Sequence, residues 1–257
     1  NIMLNEILHI IKITRPHHLI KTIYLPNHTF RKLKYHYRRV SEKEFIDFLS
    51  AKWNCTPDIV NSAYEDLNNN QKLWDKINQV LSLYPNSYGS QMTMELPCLY
   101  LLVRIIKPNL LVETGVASGA SSAYILRALK DNEKGKLYSI DLPPDNLPNG
   151  RKSGWAVPET LRDRWDLRIG DAKIMLVPLL NEIGETDFFV HDSLHTYDHM
   201  MWEYKCVWPY LRQGGLFLSH DVGANEAFLD FMKKVNIRWC DYRVFHVLGG
   251  FRKSSNH

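Results

Sequence analysis

The chain has 257 residues and a net charge of +4, a length that suits one large domain or a domain with an appendage. Its 45% apolar and 23% charged residues exclude a disordered chain. So mild a positive charge over this length gives no ground for a nucleic-acid partner, and no apolar run is long enough to span a bilayer.

The opening stretch IMLNEILHIIKI is interrupted by Asn5, Glu6 and His9 and reads as an amphipathic helix. The sequence does not begin with Met, which leaves open any targeting signal ahead of it. Residues 28–40 gather Arg31, Lys32, Lys34, Arg38 and Arg39, read as a solvated face rather than a membrane or polyanion patch. Ser41 and Glu44 have capping-box spacing at the head of a predicted helix. A second helix is expected from Thr56–Pro57, and a third over NNNQKLWDKINQVLSLY. PNSYG at 85–89 breaks the pattern, so the expected division is a helical segment 1–85 and a domain 86–257.

From there strand and helix alternate. MELPCLYLLVRII reads as a helix closed by Pro108, LLVET as a strand, ASSAYILRALKD as a helix and KLYSID as a strand. DLRIGD, DFFVHD and GLFLSHD are further strands; AKIMLVPLLNEI (interrupted by Pro178), TYDHMMWEYKCVWPYL and NEAFLDFMKKV are helices. YRVFHVLGGFRKSS reads as two strands about a Gly-Gly turn. The pattern predicts an α/β, Rossmann-like, doubly wound and mostly parallel sheet with an antiparallel C-terminal strand. Cys55, Cys98, Cys206 and Cys240 form no CxxC pair, which points to reduced thiols and a cytoplasmic setting.

Sheets of this class bind ligands beyond the carboxyl ends of their strands. The residues there are Glu113–Thr114–Gly115, Asp141, Gly170–Asp171, Asp192 and His220–Asp221. An acid near one strand end is often a helix cap; five in one sheet ask for another account. GVASGA at 115–120 lacks the middle glycine of a dinucleotide fingerprint, and no Lys follows Gly119 as a P-loop requires.

The pattern E-x-G-x-x-x-G-x-S-S (113–122), with an acid ending the next strand, resembles the class I S-adenosylmethionine-dependent methyltransferases. The resemblance implies a cofactor site of Glu113, Gly115, Ala117, Ser118, Gly119, Ser121 and Ser122, with Asp141 on the ribose hydroxyls and Asp171 toward the adenine. Glu113 would lie near the cofactor ammonium, and the following helix N-terminus would offer N–H groups to its carboxylate. Residues 189–221 are similar to the methyltransferases carrying D-x-x-H-x-Y, here Asp192, His195 and Tyr197, followed by an acid, Glu203, eight residues after the His, and then Gly214–Gly215 and Asp221. That group includes sugar and small-molecule O-methyltransferases, several of them magnesium-dependent. It implies a small-molecule or glycan acceptor, catalytic Asp192 and His195 with His195 as general base, and a divalent cation, magnesium or manganese, on Asp192, His220 and Asp221. The relatives carry two adjacent acids where this chain has His220–Asp221, which lowers magnesium affinity and leaves open a borderline metal or none.

His199 is expected on the surface or behind the site, and Glu203 as a solvated helix residue or an anchor for His195. The long connection 143–165 suggests a lid in which Trp155 stacks on an acceptor ring and Arg151 and Lys152 meet an anionic acceptor. A homo-oligomer is compatible with the N-terminal helices. The rival readings are an NAD-dependent oxidoreductase and a non-catalytic cofactor-binding or assembly protein.

Overall fold

The computed structural model describes residues 47, 50, 51, 55–86, 95–145, 147, 148, 150–237, 242–244 and 248–253. The opening stretch, the basic run at 28–40, the Ser41–Glu44 capping box, Cys240 and part of the PNSYG break lie outside the described residues. Two amphipathic helices come first. Helix α1 (Pro57–Asn69) starts on Pro57 and buries Val60, Ala63, Tyr64 and Leu67, and α2 (Gln71–Ser82) buries Trp74, Ile77 and Leu81. Both stripes follow the helical period, so each helix turns one apolar face inward. Helix α3 (Glu95–Ile106) is closed by Lys107 at φ +50° and Pro108.

The alternating units follow: β1 (Leu110–Thr114), α4 (Ala120–Asp131), β2 (Lys136–Asp141), β3 (Trp165–Ile169), α5 (Ala172–Ile183), β4 (Thr186–His191), α6 (Tyr197–Val207), β5 (Leu211–His220), α7 (Ala227–Lys234), β6 (Tyr242–Val244) and β7 (Leu248–Arg252). The seven strands lie in the order β3-β2-β1-β4-β5-β7-β6. The first five are parallel, and β7 runs antiparallel to both β5 and β6. The expected Rossmann-like sheet with an antiparallel end is therefore the observed one.

Side-chain alternation divides the core into two layers. Leu111, Phe188, Val190, Leu216 and Leu218 pack on the side of α1 to α4, whereas Val112, Phe189 and Phe217 pack on the side of α5 to α7. Trp74 of α2 stacks on Tyr124 of α4 with ring centroids 4.0 Å apart. Residues 57–82 thus share one continuous core with the sheet.

Three local expectations change. Gly249–Gly250 lies inside β7 rather than at a turn. A Cβ on Gly250 would stand 2.1 Å from Leu218 Cδ2, so this glycine lets β7 close against β5, while one on Gly249 would meet Val222 and Phe228. Gly214–Gly215 likewise lies within β5, where Thr186 pairs with Leu211 but Phe188 pairs with Leu216, marking a bulge. Helix α5 runs through Pro178 without interruption.

Candidate functional site

The chain leaves β1 toward β2 on one side and later returns to place β4 on the other, so the sheet has its switch point between β1 and β4. The crevice beyond such a point is where open α/β sheets bind ligands. Register brings the ends together: Thr114 pairs with Ile140 and with His191, and His191 with Ser219. The residues that follow these pairs are Gly115, Asp141, Asp192 and His220.

The turn after β1 has three residues in the left-handed region, Gly115 at φ +85°, Ala117 at +50° and Gly119 at +87°. The Gly115 N–H donates to Ile140 O at 2.9 Å and the Gly119 N–H to Val116 O at 2.8 Å. Ser118 is buried, and its Oγ accepts from the Ala120 N–H at the start of α4.

Glu113 is fully buried and accepts from the hydroxyls of Ser121 (2.8 Å), Ser122 (2.6 Å) and Ser139 (2.8 Å). Ser139 in turn accepts from Trp165 Nε1 at 2.9 Å. The two serines of the sequence pattern thus tie the first turn of α4 back onto β1, and Ser139 is a partner that no motif signalled. Burial pushes the Glu113 carboxyl up to about 7, against the three hydroxyl hydrogen bonds, and the Asp192 charge adds to the rise. A carboxyl raised from 4.5 to about 7 contributes stability below pH 4.5 that is lost as the pH rises through 7. Glu113→Gln, which cannot ionise, should therefore gain on the wild type by about 3 kcal/mol between pH 4.5 and 8. Urea unfolding across that range reads the difference; a gap independent of pH would refute a buried neutral Glu113.

Asp141, nearly buried at the end of β2, accepts from the Val116 N–H at 3.0 Å and from the Ser153 hydroxyl. The connection between β2 and β3 lies on the glycine turn: the Gly154 N–H donates to Ala117 O and the Ala156 N–H to Ser118 O, each at 2.8 Å. Trp155 meets Tyr84 edge-on at 5.2 Å, and the Arg151 guanidinium lies over both rings. Arg151 and Lys152 are exposed. Asp171 caps α5, accepting from the Lys173 N–H at 2.8 Å, and the Gly170 N–H donates to Asp141 O.

Across the switch point the side chains of Asp192, His195 and His220 bring three ligand-type atoms within 4.8 Å of one another. Asp192 Oδ1 lies 3.1 Å from His220 Nδ1 and 3.5 Å from His195 Nε2. Asp221, at φ +49°, places Oδ2 3.4 Å from His195 Nδ1 and Oδ1 3.8 Å from His220 Nδ1. Asp221 thus faces both imidazoles, while His195 takes the third corner of the cluster that sequence reasoning gave to Asp221. Asn225 Nδ2 donates to His195 O at 3.1 Å and steadies this loop. Tyr197 points away, its hydroxyl donating to Asp230 of α7 at 3.2 Å.

Behind the cluster, Glu203 and His199 are buried rather than solvated. His199 Nε2 and His191 Nδ1 both meet the Glu203 carboxylate, at 2.9 and 2.6 Å. His191 and His199 lie behind the cluster and not among its ligand-type atoms. The i, i+4 spacing of His199 and Glu203 was the signal available in the sequence.

Residues 112–222 match the family model of a methyltransferase domain. The structure of an O-methyltransferase from Bacillus cereus in complex with S-adenosylhomocysteine is similar at 14% identity, with a TM-score of 0.53 over 71% of this chain and 91% of that one. The S-adenosylhomocysteine-bound methyltransferase PaMTH1 of Podospora anserina is similar at 16% identity and a TM-score of 0.51, covering 84% of this chain and 97% of that one. At such identities the likeness is one of fold. No curated protein matches the chain.

Proposed function

We propose that the protein is a class I, S-adenosylmethionine-dependent methyltransferase that methylates a hydroxyl of a small molecule or glycan, a reading supported by the match of residues 112–222 to a methyltransferase-domain model. The observation that carries this reading is the cluster Asp192, His195, His220 and Asp221 beside the glycine turn at the sheet's switch point. The O-methyltransferase of similar fold supports the choice of oxygen as acceptor.

S-adenosylmethionine supplies a methyl group on a sulfonium, already a good leaving group. Asp141 suits its ribose, because the carboxylate already accepts a hydroxyl of the same donor type from Ser153. A ribose would take the place of Ser153, so the connection before β3 moves around Ser153 as the cofactor enters and closes over it as a lid. Glu113, Gly115, Ala117, Ser118, Gly119 and Asp171 line or support the rest of that crevice.

The protein's remaining task is to align the acceptor oxygen and remove its proton. Asp221 Oδ2 faces His195 Nδ1 at 3.4 Å, and a proton on that nitrogen would leave the Nε2 lone pair to take the hydroxyl proton. His195 Nε2 is buried and makes no hydrogen bond among the described residues, as a base awaiting its substrate requires.

The same orphaned nitrogen fits a metal ligand. Two imidazoles and a carboxylate suit a first-row divalent ion, which accepts nitrogen ligands more readily, better than magnesium, and manganese is the hardest ion of that row. Such an ion would hold the acceptor hydroxyl and lower its pKa. Asp192 and His220 would ligate it, with His195 or Asp221 completing the set.

Calorimetric titration of S-adenosylhomocysteine into chelator-treated protein, repeated with manganese and magnesium, tests the reading. Micromolar binding, about −8 kcal/mol, is expected, with manganese preferred to magnesium and with the connection before β3 protected from protease. His195→Ala should keep both affinities if His195 is the base and lose manganese alone if it is a ligand. No S-adenosylhomocysteine binding to the folded protein would overturn the proposal.

A further inference from the structure

The carboxylate of Glu203 is completely buried, yet it points to no solvent and to none of the cluster atoms. It collects four donors from four places in the fold. Oε2 accepts from Thr114 Oγ1, at the end of β1, and from His191 Nδ1, at the end of β4, each at 2.6 Å. Oε1 accepts from Ser193 Oγ at 2.8 Å, in the loop after β4, and from His199 Nε2 at 2.9 Å, in the first turns of α6. An ionised carboxylate offers about four acceptor sites, and here each has a donor. Burial alone would raise the Glu203 pKa, but the His191 charge and the hydrogen bonds from His191, His199 and Thr114 hold it well below the usual carboxylate range.

The placement of the donors matters more than their number. Asp192 stands between His191 and Ser193, both held by Glu203, and the Asp192 N–H donates to Thr114 O at 2.8 Å, on the residue whose hydroxyl Glu203 also holds. The backbone of Asp192 is therefore fixed from both sides and from the neighbouring strand by one carboxylate. On the far side, the Asp192 carbonyl lies where a Cβ on Gly115 would stand, 2.0 Å from it, so the Asp192 backbone sits close against the glycine turn.

We propose that Glu203 is a positioning residue for the cluster: it fixes the backbone of Asp192 and thereby the spacing of Asp192 from His195 and His220. This rests on the reading of that cluster as the reacting site. Glu203 acts without touching the acceptor, the cofactor or an ion. In Glu203→Gln the amide nitrogen would face two donors, so one arm of the clamp opens while the side chain keeps its shape.

The test uses the full chain with manganese alone and S-adenosylhomocysteine alone as probes. Free manganese is read by electron paramagnetic resonance, and the imidazole nitrogens by NMR of histidine-labelled protein. Glu203→Gln, with an unfolding midpoint showing it folded, should bind manganese at least about 10-fold more weakly, as loss of a partner behind a ligand does. Its S-adenosylhomocysteine affinity should stay within about 3-fold, and the His195 and His220 signals should shift although neither ring touches Glu203. Unchanged manganese affinity and unchanged His195 and His220 signals in the folded variant would overturn the proposal. So would a parallel loss of both ligands, which marks a purely structural residue. A wild type that binds no manganese refutes the metal reading only, and the two histidine signals then decide the positioning role. Should Glu203→Gln not fold, Ser193→Ala removes a single donor, and the same shifts, smaller in size, are expected from it; their absence overturns the clamp.

Discussion

Gly115→Ala is expected to lose S-adenosylhomocysteine binding by at least about 100-fold and to destabilise the fold by roughly 3 kcal/mol or more. Two costs combine. The residue sits at φ +85°, where a side chain alone costs roughly 1–2 kcal/mol. A Cβ there would also stand 2.0 Å from Asp192 O, 2.4 Å from Asp192 C and 2.7 Å from Ser193 N. Those are backbone atoms, so no side chain can rotate to relieve the overlap. Either the glycine turn or the Asp192 loop must move, and both carry the proposed site. Gly184→Ala is the control: its φ is +75°, but nothing lies within 4 Å of the added carbon. With ψ −137° it lies in a region that glycine alone favours, so that variant should lose about 1–3 kcal/mol from backbone strain and no affinity. Urea unfolding and calorimetry on the pair separate strain from close approach. Equal behaviour of the two would show that the contact with Asp192 carries no weight.

The parts of the molecule legible in the sequence are those governed by local rules. LLVET, ASSAYILRALKD, KLYSID and AKIMLVPLLNEI have the bounds that periodicity and turn residues suggest, because each is buried on its expected face and flanked by Gly, Pro or a capping Asp. Asp141, Asp192, His220 and Asp221 stand at strand ends for the same reason, since a parallel sheet brings every strand end to one edge. What stayed hidden is how side chains share partners across elements. Ser121 and Ser122 look like cofactor residues in a motif, but their hydroxyls meet Glu113 from above while Ser139 meets it from the next strand. Glu203 looks like a surface acid in WEYK until β1, β4 and α6 converge on it. The Gly249–Gly250 pair resembles a turn because the need for bare carbons comes from afar, at Gly250 from Phe217 and Leu218 of β5, about 30 residues away in sequence, and at Gly249 from Val222 and Phe228. Partners of that kind belong to topology, and composition within a window carries no trace of them.

Trp74→Ala should cost about 3–5 kcal/mol, as large deletions in a core do, and should lower the unfolding midpoint of the whole protein in one transition. The ring is 1% exposed, stacks on Tyr124 at 4.0 Å and meets Tyr100 edge-on at 5.9 Å, so its loss opens a cavity between α2, α3 and α4. Its Nε1 also donates to Leu67 O at 2.9 Å, tying α2 to α1. Around it a polar seam joins the same helices, with Asp66 held by Arg104, and Asp131 accepting from Tyr100 at 2.7 Å and from Asn70 at 3.3 Å. Helix α4 is the one that begins at the glycine turn, so packing lost under Tyr124 reaches the proposed cofactor crevice through a rigid element. Weaker S-adenosylhomocysteine binding should therefore accompany the loss of stability. Two separate transitions, with the later one and the cofactor affinity unchanged, would make α1 and α2 an independent appendage. A single transition makes them part of the domain that binds the cofactor, and the boundary expected at 85–89 then separates sequence textures and not folding units.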